Sequence, residues 1–270
     1  MLYGAGVSTD PATALANACA RAGVEIRLLH DLSELNIARR IFDEVWPADD
    51  TQMQPNVMRA LMHAGGYCSA AFAGDEPVGA ALGFIGRHLE ADGWEVHLHS
   101  HMAAVREGFR DRHIGTALKL HQRVWARAQG IPVIVWTFDP LVRRNARLNL
   151  LKLGVEVRGF EPDFYGAMSD GINTGDPTDR LFAWWVVDSA LADAAAGGTL
   201  EPIRPEVIAS HPDWRVIELP EDIVALREAD PVAAREWRLR LRRELVDAFD
   251  DGFAIAGITE DGGYVLWRSA

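Results

Sequence analysis

Val105-Arg-Glu-Gly-Phe-Arg110-Asp-Arg-His-Ile-Gly115-Thr-Ala-Leu-Lys119 is the stretch on which the reading of this chain turns. It follows a strand from Trp94 to Val105 and opens an amphipathic helix, from about Gly115 to Gln129, with Ala117, Leu118, Leu120, His121, Val124, Trp125 and Ala128 on its buried stripe. The stretch is therefore a strand-to-helix junction, and such a junction attracts anions. The first N–H groups of a helix have no partner within it, the macrodipole adds partial positive charge, and a glycine lets a ligand approach the main chain. Arg110 and Arg112 strengthen that field. The competing reading is a solvated basic turn before an ordinary helix.

Working outward, Asp10-Pro11 heads a short Ala-rich helix and Val24 to Leu29 reads as a strand. A helix capped by Asp31 or Ser33 runs to Pro47, and a second follows from Pro55 to His63. Tyr67 to Phe72 and Val78 to Ile85 form a hairpin across Gly74-Asp75-Glu76-Pro77. After the long helix, closed by Gly130 and Pro132, Val133 to Thr137 is an interior strand, and Arg143 to Leu153 is a helix ended by Gly154. The order is β-α-α-β-β-β-α-β-α. Pro162 to Arg180 reads as a long polar loop of the kind that carries sites. Leu181 to Val187 resumes as a strand, Ala190 to Gly198 reads as a small-residue hinge, and Trp214 to Leu219 is another strand. A helix with Val232, Trp237, Leu241 and Leu245 on one face then leads to a hairpin turned by Asp261-Gly262-Gly263. The expected division is a helical lead-in over 1–23, an α/β domain over 24–187 and a small C-terminal α+β unit over 188–270.

The junction resembles motif A of the GNAT superfamily, the acyl-CoA N-acyltransferases. Its pattern R/Q-x-x-G-x-G/A falls on Arg110, Asp111, Arg112, His113, Ile114 and Gly115, with His113 in place of the first glycine. The element order from Val24 to Val155 is similar as well, and Trp136 to Val155 resembles the family's next strand and helix, including the closing Gly154. The resemblance implies the GNAT fold, a mixed, splayed central sheet with flanking helices, and an acetyl-CoA or other acyl-CoA co-substrate. It implies that Arg110 to Thr116 hold the pyrophosphate, that Ala103, Ala104 and Val105 pair with pantetheine, and that Asn145 belongs to the same binding region. The tyrosine that often protonates the departing thiolate in this family falls at Leu150. Trp136 through Arg180 also resembles a bacterial GNAT subgroup with a C-terminal extension, some of whose members are associated with N-acylation of amino acids.

The chemistry required is the alignment of an amine with a thioester, removal of a proton and stabilisation of an oxyanion and a thiolate. His97, His99 and His101 follow one another at a period of two, which puts them on one face of the strand, the face of Ala103 and Val105. His99 or His101 is the expected base, Val105 N–H the oxyanion donor and Tyr165 the replacement acid. Asp139 and Arg180 are expected at the acceptor, where a guanidinium can clamp a carboxylate. Each histidine, taken singly, also fits a core residue bonded to a carbonyl. Tyr165 also fits packing against the sheet edge, and Arg180 pairing with Asp176 or Asp179. Two further functional readings remain: an acyl-CoA sensor that has lost its acid, and a hydrolase holding zinc on His97, His99 and His101. The aspartate that accompanies such a histidine cluster is missing, so no metal is expected.

Composition bounds these readings. The 270 residues, 49% hydrophobic and 24% charged, can bury a large core. Asp and Glu number 39 against 27 Lys and Arg, a net charge of -12 and the wrong sign for a nucleic-acid or anionic-membrane partner. Two distant cysteines, Cys19 and Cys68, suit neither a zinc set nor a disulfide scaffold and point to the cytoplasm. The first basic residue is Arg21, and the longest apolar stretch is broken by Asp188 and Asp193, so neither a signal peptide nor a membrane span is expected. The expected partner is a small-molecule amine, with a homodimer left open. Lysine is rare, at 119 and 152 only.

Overall fold

A computed structural model describes residues 9–47, 51–166 and 176–268. Seven strands form one sheet in the order β1-β2-β3-β4-β5-β7-β6: β1 Glu25–Leu28, β2 Tyr67–Ala73, β3 Glu76–Glu90, β4 Gly93–Val105, β5 Val133–Phe138, β6 Glu156–Glu161 and β7 Arg180–Val186. Neighbours pair antiparallel except β4 and β5. Helices α1 Pro11–Ala22, α2 Leu32–Val45, α3 Pro55–His63, α4 Ile114–Ala128 and α5 Arg143–Arg147 flank it, and α5 continues as a π-helical turn over Leu148–Leu153 that stops at Gly154, φ 65°. This is the mixed α/β architecture expected, with β6 as an added strand. Positions 1–8 of the lead-in and 167–175 of the long loop lie outside the described residues.

Local chemistry sets these elements. Asp31 caps α2 by accepting from the N–H of Ser33 and Glu34, while the Glu34 carboxylate accepts from the Asp31 N–H, a reciprocal capping box. From that start Leu35, Ala38, Ile41 and Phe42 turn to one side and pack with Ala80, Leu82, Met102 and Ala104. Helix α4 covers the opposite face, where Ile114 and Leu118 meet Val78, Ala81 and Leu98. Its buried side is more polar than the apolar spacing suggests, because Lys119, Gln122 and Arg123 are buried while Ala128 is exposed.

A bulge in β4 decides which side chains share a face. Gly83 pairs with Ser100 and Leu82 with Met102, so His101 is the extra residue. Strict alternation therefore fails there. His97 and His99 share the α2 side with Met102 and Ala104, whereas Val105 packs with the α4 side. The expectation that the histidines share a face with Ala103 and Val105 is corrected for this reason.

The C-terminal part adds α6 Ala190–Ala196, α7 Pro205–Ala209, β8 Arg215–Ile217, α8 Ile223–Ala229, α9 Pro231–Asp250, β9 Phe253–Ile258 and β10 Tyr264–Arg268, with a second sheet ordered β8-β10-β9. Its Leu241, Leu245, Tyr264 and Leu266 belong to the same buried cluster as Leu151, Leu153 and Trp185. One core runs through both sheets. Ala190 to Gly198 is not a hinge. Ser189 caps α6, Ala192, Ala194 and Ala195 are buried, and the fully buried Arg123 binds the Val187 and Ala192 carbonyls and the Asp193 carboxylate. Small residues here permit close packing.

Candidate active site

Strands β4 and β5 pair only at Leu98 with Ile134 and His99 with Val135, and beyond them the two strands diverge. The result is a wedge whose apex lies at His99 and Val135 and whose mouth lies near Val105. On the other edge of β4, Arg106 N–H donates to Val78 C=O at 3.0 Å. Antiparallel pairing alternates, so Ala104 also turns its main chain toward β3 while Ala103 and Val105 present theirs to the wedge.

The mouth leads into the junction. A single 3₁₀ turn, Glu107–Phe109, precedes Arg110, Asp111, Arg112 and His113, all exposed. The first intrahelical bond runs from Ala117 N–H to His113 C=O at 3.1 Å, so the N–H groups of Ile114, Gly115 and Thr116 precede the helical ladder. Asp111 and His113 take the left-handed region at φ 62° and 63°. For a residue with a side chain that conformation costs about 1 kcal/mol, and Asp and His tolerate it better than most. It also explains why the resembled motif has glycine where His113 stands. A Cβ on Gly115 would meet nothing within 4 Å, so packing does not require that glycine. Exposed donors, two arginines and open space over Gly115 fit a bound pyrophosphate.

The apex carries different chemistry on its two faces. On the α2 side, the His99 ring stacks on Phe84 at 4.8 Å, with His101 at 5.6 Å from the same ring. Burial, reinforced by His101, His97 and Lys119, pulls the His99 pKa down to about 4, so its imidazole is neutral at pH 7 and open to a proton. The tautomers are not fixed by these contacts. His97 instead shares a ring-nitrogen contact of 3.0 Å with His88 and packs near Trp184. Adjacent rings in the series stand 6.4 and 6.0 Å apart, and among the described residues no group of three or more His, Cys, Asp or Glu is arranged to hold a metal ion. Thr137, two positions past Val135, accepts or donates a 3.0 Å bond with the Tyr165 hydroxyl. Phe182, Phe164 and Tyr165 continue the aromatic lining on this face.

On the α4 side, Lys119 Nζ donates to Ser100 Oγ at 2.8 Å and lies 3.7 Å from the centre of the Trp136 ring. Leu150 is buried in the core on this side, and the neighbouring Asn149 accepts from Trp136 Nε1 at 3.3 Å. Tyr165 therefore stands across the sheet from Leu150 and does not take its place. Lys119 escaped the sequence reading because it sits in a helix whose apolar residues account for the spacing. The signal available was a rare lysine one turn before Arg123 on a half-apolar helix.

Two acceptor candidates are placed elsewhere. Asp139 is buried and accepts from Arg238 Nη1 and Nη2 at 2.9 Å each and from Arg227 Nη2 at 2.7 Å. Although burial opposes its ionisation, these two guanidiniums hold its carboxyl well below the usual range. It anchors the C-terminal helices rather than a ligand. Arg180 is buried behind Tyr165, 5.3 Å from that ring, and donates to the Asp179 carbonyl at 3.0 Å. The Asp176 and Asp179 carboxylates bind Arg227, Arg238 and Arg242. Asn145 lies on α5, half-buried.

A mixed sheet split at its parallel pair, with a helix N-terminus at the mouth of the split and titratable groups at its apex, defines an acyltransferase of the kind the sequence resembles. Residues 32–154 match the acetyltransferase (GNAT) family. Similar solved structures include an N-acetyltransferase from Staphylococcus aureus Mu50, at 15% identity and a TM-score of 0.45 over 62% of this chain and 99% of that one. The ribosomal-protein-S18-alanine N-acetyltransferase of Escherichia coli follows at 13% and 0.46, over 62% and 95%. A GNAT family acetyltransferase from Elizabethkingia anophelis with acetyl-CoA bound is similar at 16% and 0.46, over 61% and 98%. No curated protein sequence matches the chain. Among the described residues no helix is long and apolar enough to cross a membrane.

Proposed function

We propose that this chain transfers an acyl group, acetyl or succinyl in type, from a CoA thioester to the amine of a small molecule in a ternary complex. The observation that carries the reading is the wedge itself: main-chain groups of Ala103 and Val105 face it, the exposed residues 110–113 and the N–H groups of 114–116 that precede the helical ladder stand at its mouth, and His99 lies at its apex. An extended pantetheine arm held at the mouth by its phosphates pairs with that edge of β4 and delivers its thioester toward the apex. Ala103 N–H, two residues nearer the apex than Val105 N–H, is the better placed oxyanion donor. The acceptor lies on the histidine face, against Phe84, Thr137 and Tyr165. His99 or His101 takes the proton as the amine adds to the carbonyl. A neutral imidazole suits this step, because addition makes the nitrogen far more acidic than the free ammonium. Arg180 reaches such an acceptor only across the Tyr165 ring.

Turnover decides the matter. Acetyl-CoA and succinyl-CoA should raise the melting temperature, and free thiol should appear with at least one amine in a panel that begins with amino acids. His99→Ala should lower kcat by about 100-fold while leaving CoA affinity unchanged. Binding without thiol release from any amine would make the protein a sensor, a reading that buried Leu150 favours. Absence of CoA binding would remove the proposal.

A further inference from the structure

The α4 face of the apex holds a lysine that neither the fold nor the base chemistry accounts for. Lys119 is 6% exposed, and no carboxylate pairs with it among the described residues. Its neighbours are a hydroxyl and an indole face, and the Ser100 hydroxyl in turn donates a hydrogen bond to Gln122 Oε1 at 2.9 Å. The Gln122 amide nitrogen is left without a partner among the described residues. Burying an ammonium without a counter-ion is costly, so a lysine held this way is a functional candidate rather than a packing choice. Desolvation pulls its pKa down to about 7, where it exchanges a proton readily.

Its position gives the role. Ser100 and Trp136 are the first residues of β4 and β5 beyond their last pair, so Lys119 sits in the fork of the wedge from the α4 side, opposite His99. Leu150 and the other side chains of the π-helical turn that belong to the shared core offer no proton there. We infer that Lys119 is the general acid that protonates the CoA sulfur. The inference rests on the acyl-CoA reading above. The amine lone pair forms the C–N bond, the C–S bond breaks with its electrons on sulfur, and the Lys119 ammonium gives that sulfur a proton. The proton lost by the amine goes to His99 or His101 and then to solvent, from which Lys119 is recharged. The two faces of one apex thus divide base from acid.

The test compares CoA with desulfo-CoA by titration calorimetry on the full chain. Wild type should bind CoA about 10-fold more tightly, and Lys119→Met should bind desulfo-CoA as wild type does while losing the preference. A preference that survives in Lys119→Met, or is absent from wild type, overturns the assignment. Desulfo-CoA failing to bind wild type strikes the acyl-CoA reading instead. Lys119→Arg is the second variant, for an arginine keeps the charge but holds its proton at any working pH. Thiol release from acetyl-CoA should fall about 100-fold in it, and the wild-type decline of kcat above neutral pH should disappear. An unchanged kcat and pH profile in Lys119→Arg overturns the proposal.

Discussion

Arg110, Asp111 and Arg112 at the wedge mouth and Asp139, Asp176, Arg227 and Arg238 beneath the C-terminal helices use the same two side-chain types to opposite ends. In the first region the groups are exposed and form no ion pair with one another or with other described residues. In the second, one carboxylate at 8% exposure takes two guanidiniums, one of them at 1%. The difference teaches that a charged residue near a motif counts toward a ligand only when its field is not already answered within the protein.

Asp139→Ala should separate the regions most sharply. It takes away the buried carboxylate that accepts from both Arg238 and Arg227 and leaves Asp176 alone to answer the two guanidiniums, and breaking a buried pair from one side costs about 3 kcal/mol or more. A urea titration should show that loss, whereas Arg110→Ala should stay within about 0.5 kcal/mol of wild type and weaken CoA instead. Equal stability losses from both would end the distinction.

Acid separates the buried groups next. Burial holds the pKa values of His99 and His121 at about 4, below the 6.5 of the unfolded chain. The folded state therefore binds fewer protons between those values, and the stability present above pH 6.5 is lost as pH falls through 6 and 5 toward 4. The loss should be on the order of 1 kcal/mol per histidine after allowance for solvent screening. Asp139, held below the usual carboxylate range, keeps its contribution through that window and loses it only in stronger acid. Melting curves taken between pH 7.5 and 4.5 should show the decline, and His99→Gln should reduce it. A flat profile would mean that the histidine face is not desolvated.

What the sequence disclosed follows the same line. The strand-to-helix junction was legible because its signals are local: arginines, a glycine and the onset of helical spacing lie within ten residues. His99 was legible as a candidate, yet its face was misread, since one inserted residue at His101 shifts the alternation and nothing in residues 93–105 announces a bulge. Asp139 was misread because its partners lie 88 and 99 positions away, beyond the reach of any motif. Lys119 was invisible for a related reason. Its significance comes from Ser100 and Trp136, and those meet only where two strands part.

The smallest effect bears most directly on the junction. Gly115 lies in the first turn of α4 without a positive φ, and a Cβ there meets nothing within 4 Å. By itself the protein has no need of glycine at this position, and Gly115→Ala should raise stability by about 0.5–1 kcal/mol through the lower entropy of the unfolded chain and better helix propensity. A phosphate seated on the N–H groups of residues 114–116 does need it, since the added methyl would occupy the space through which the ligand reaches the main chain. The variant should therefore melt higher in the absence of ligand and bind CoA about 10-fold more weakly. Opposite signs from one methyl group distinguish a ligand cradle from a solvated turn, because a solvated turn would gain the stability and lose nothing.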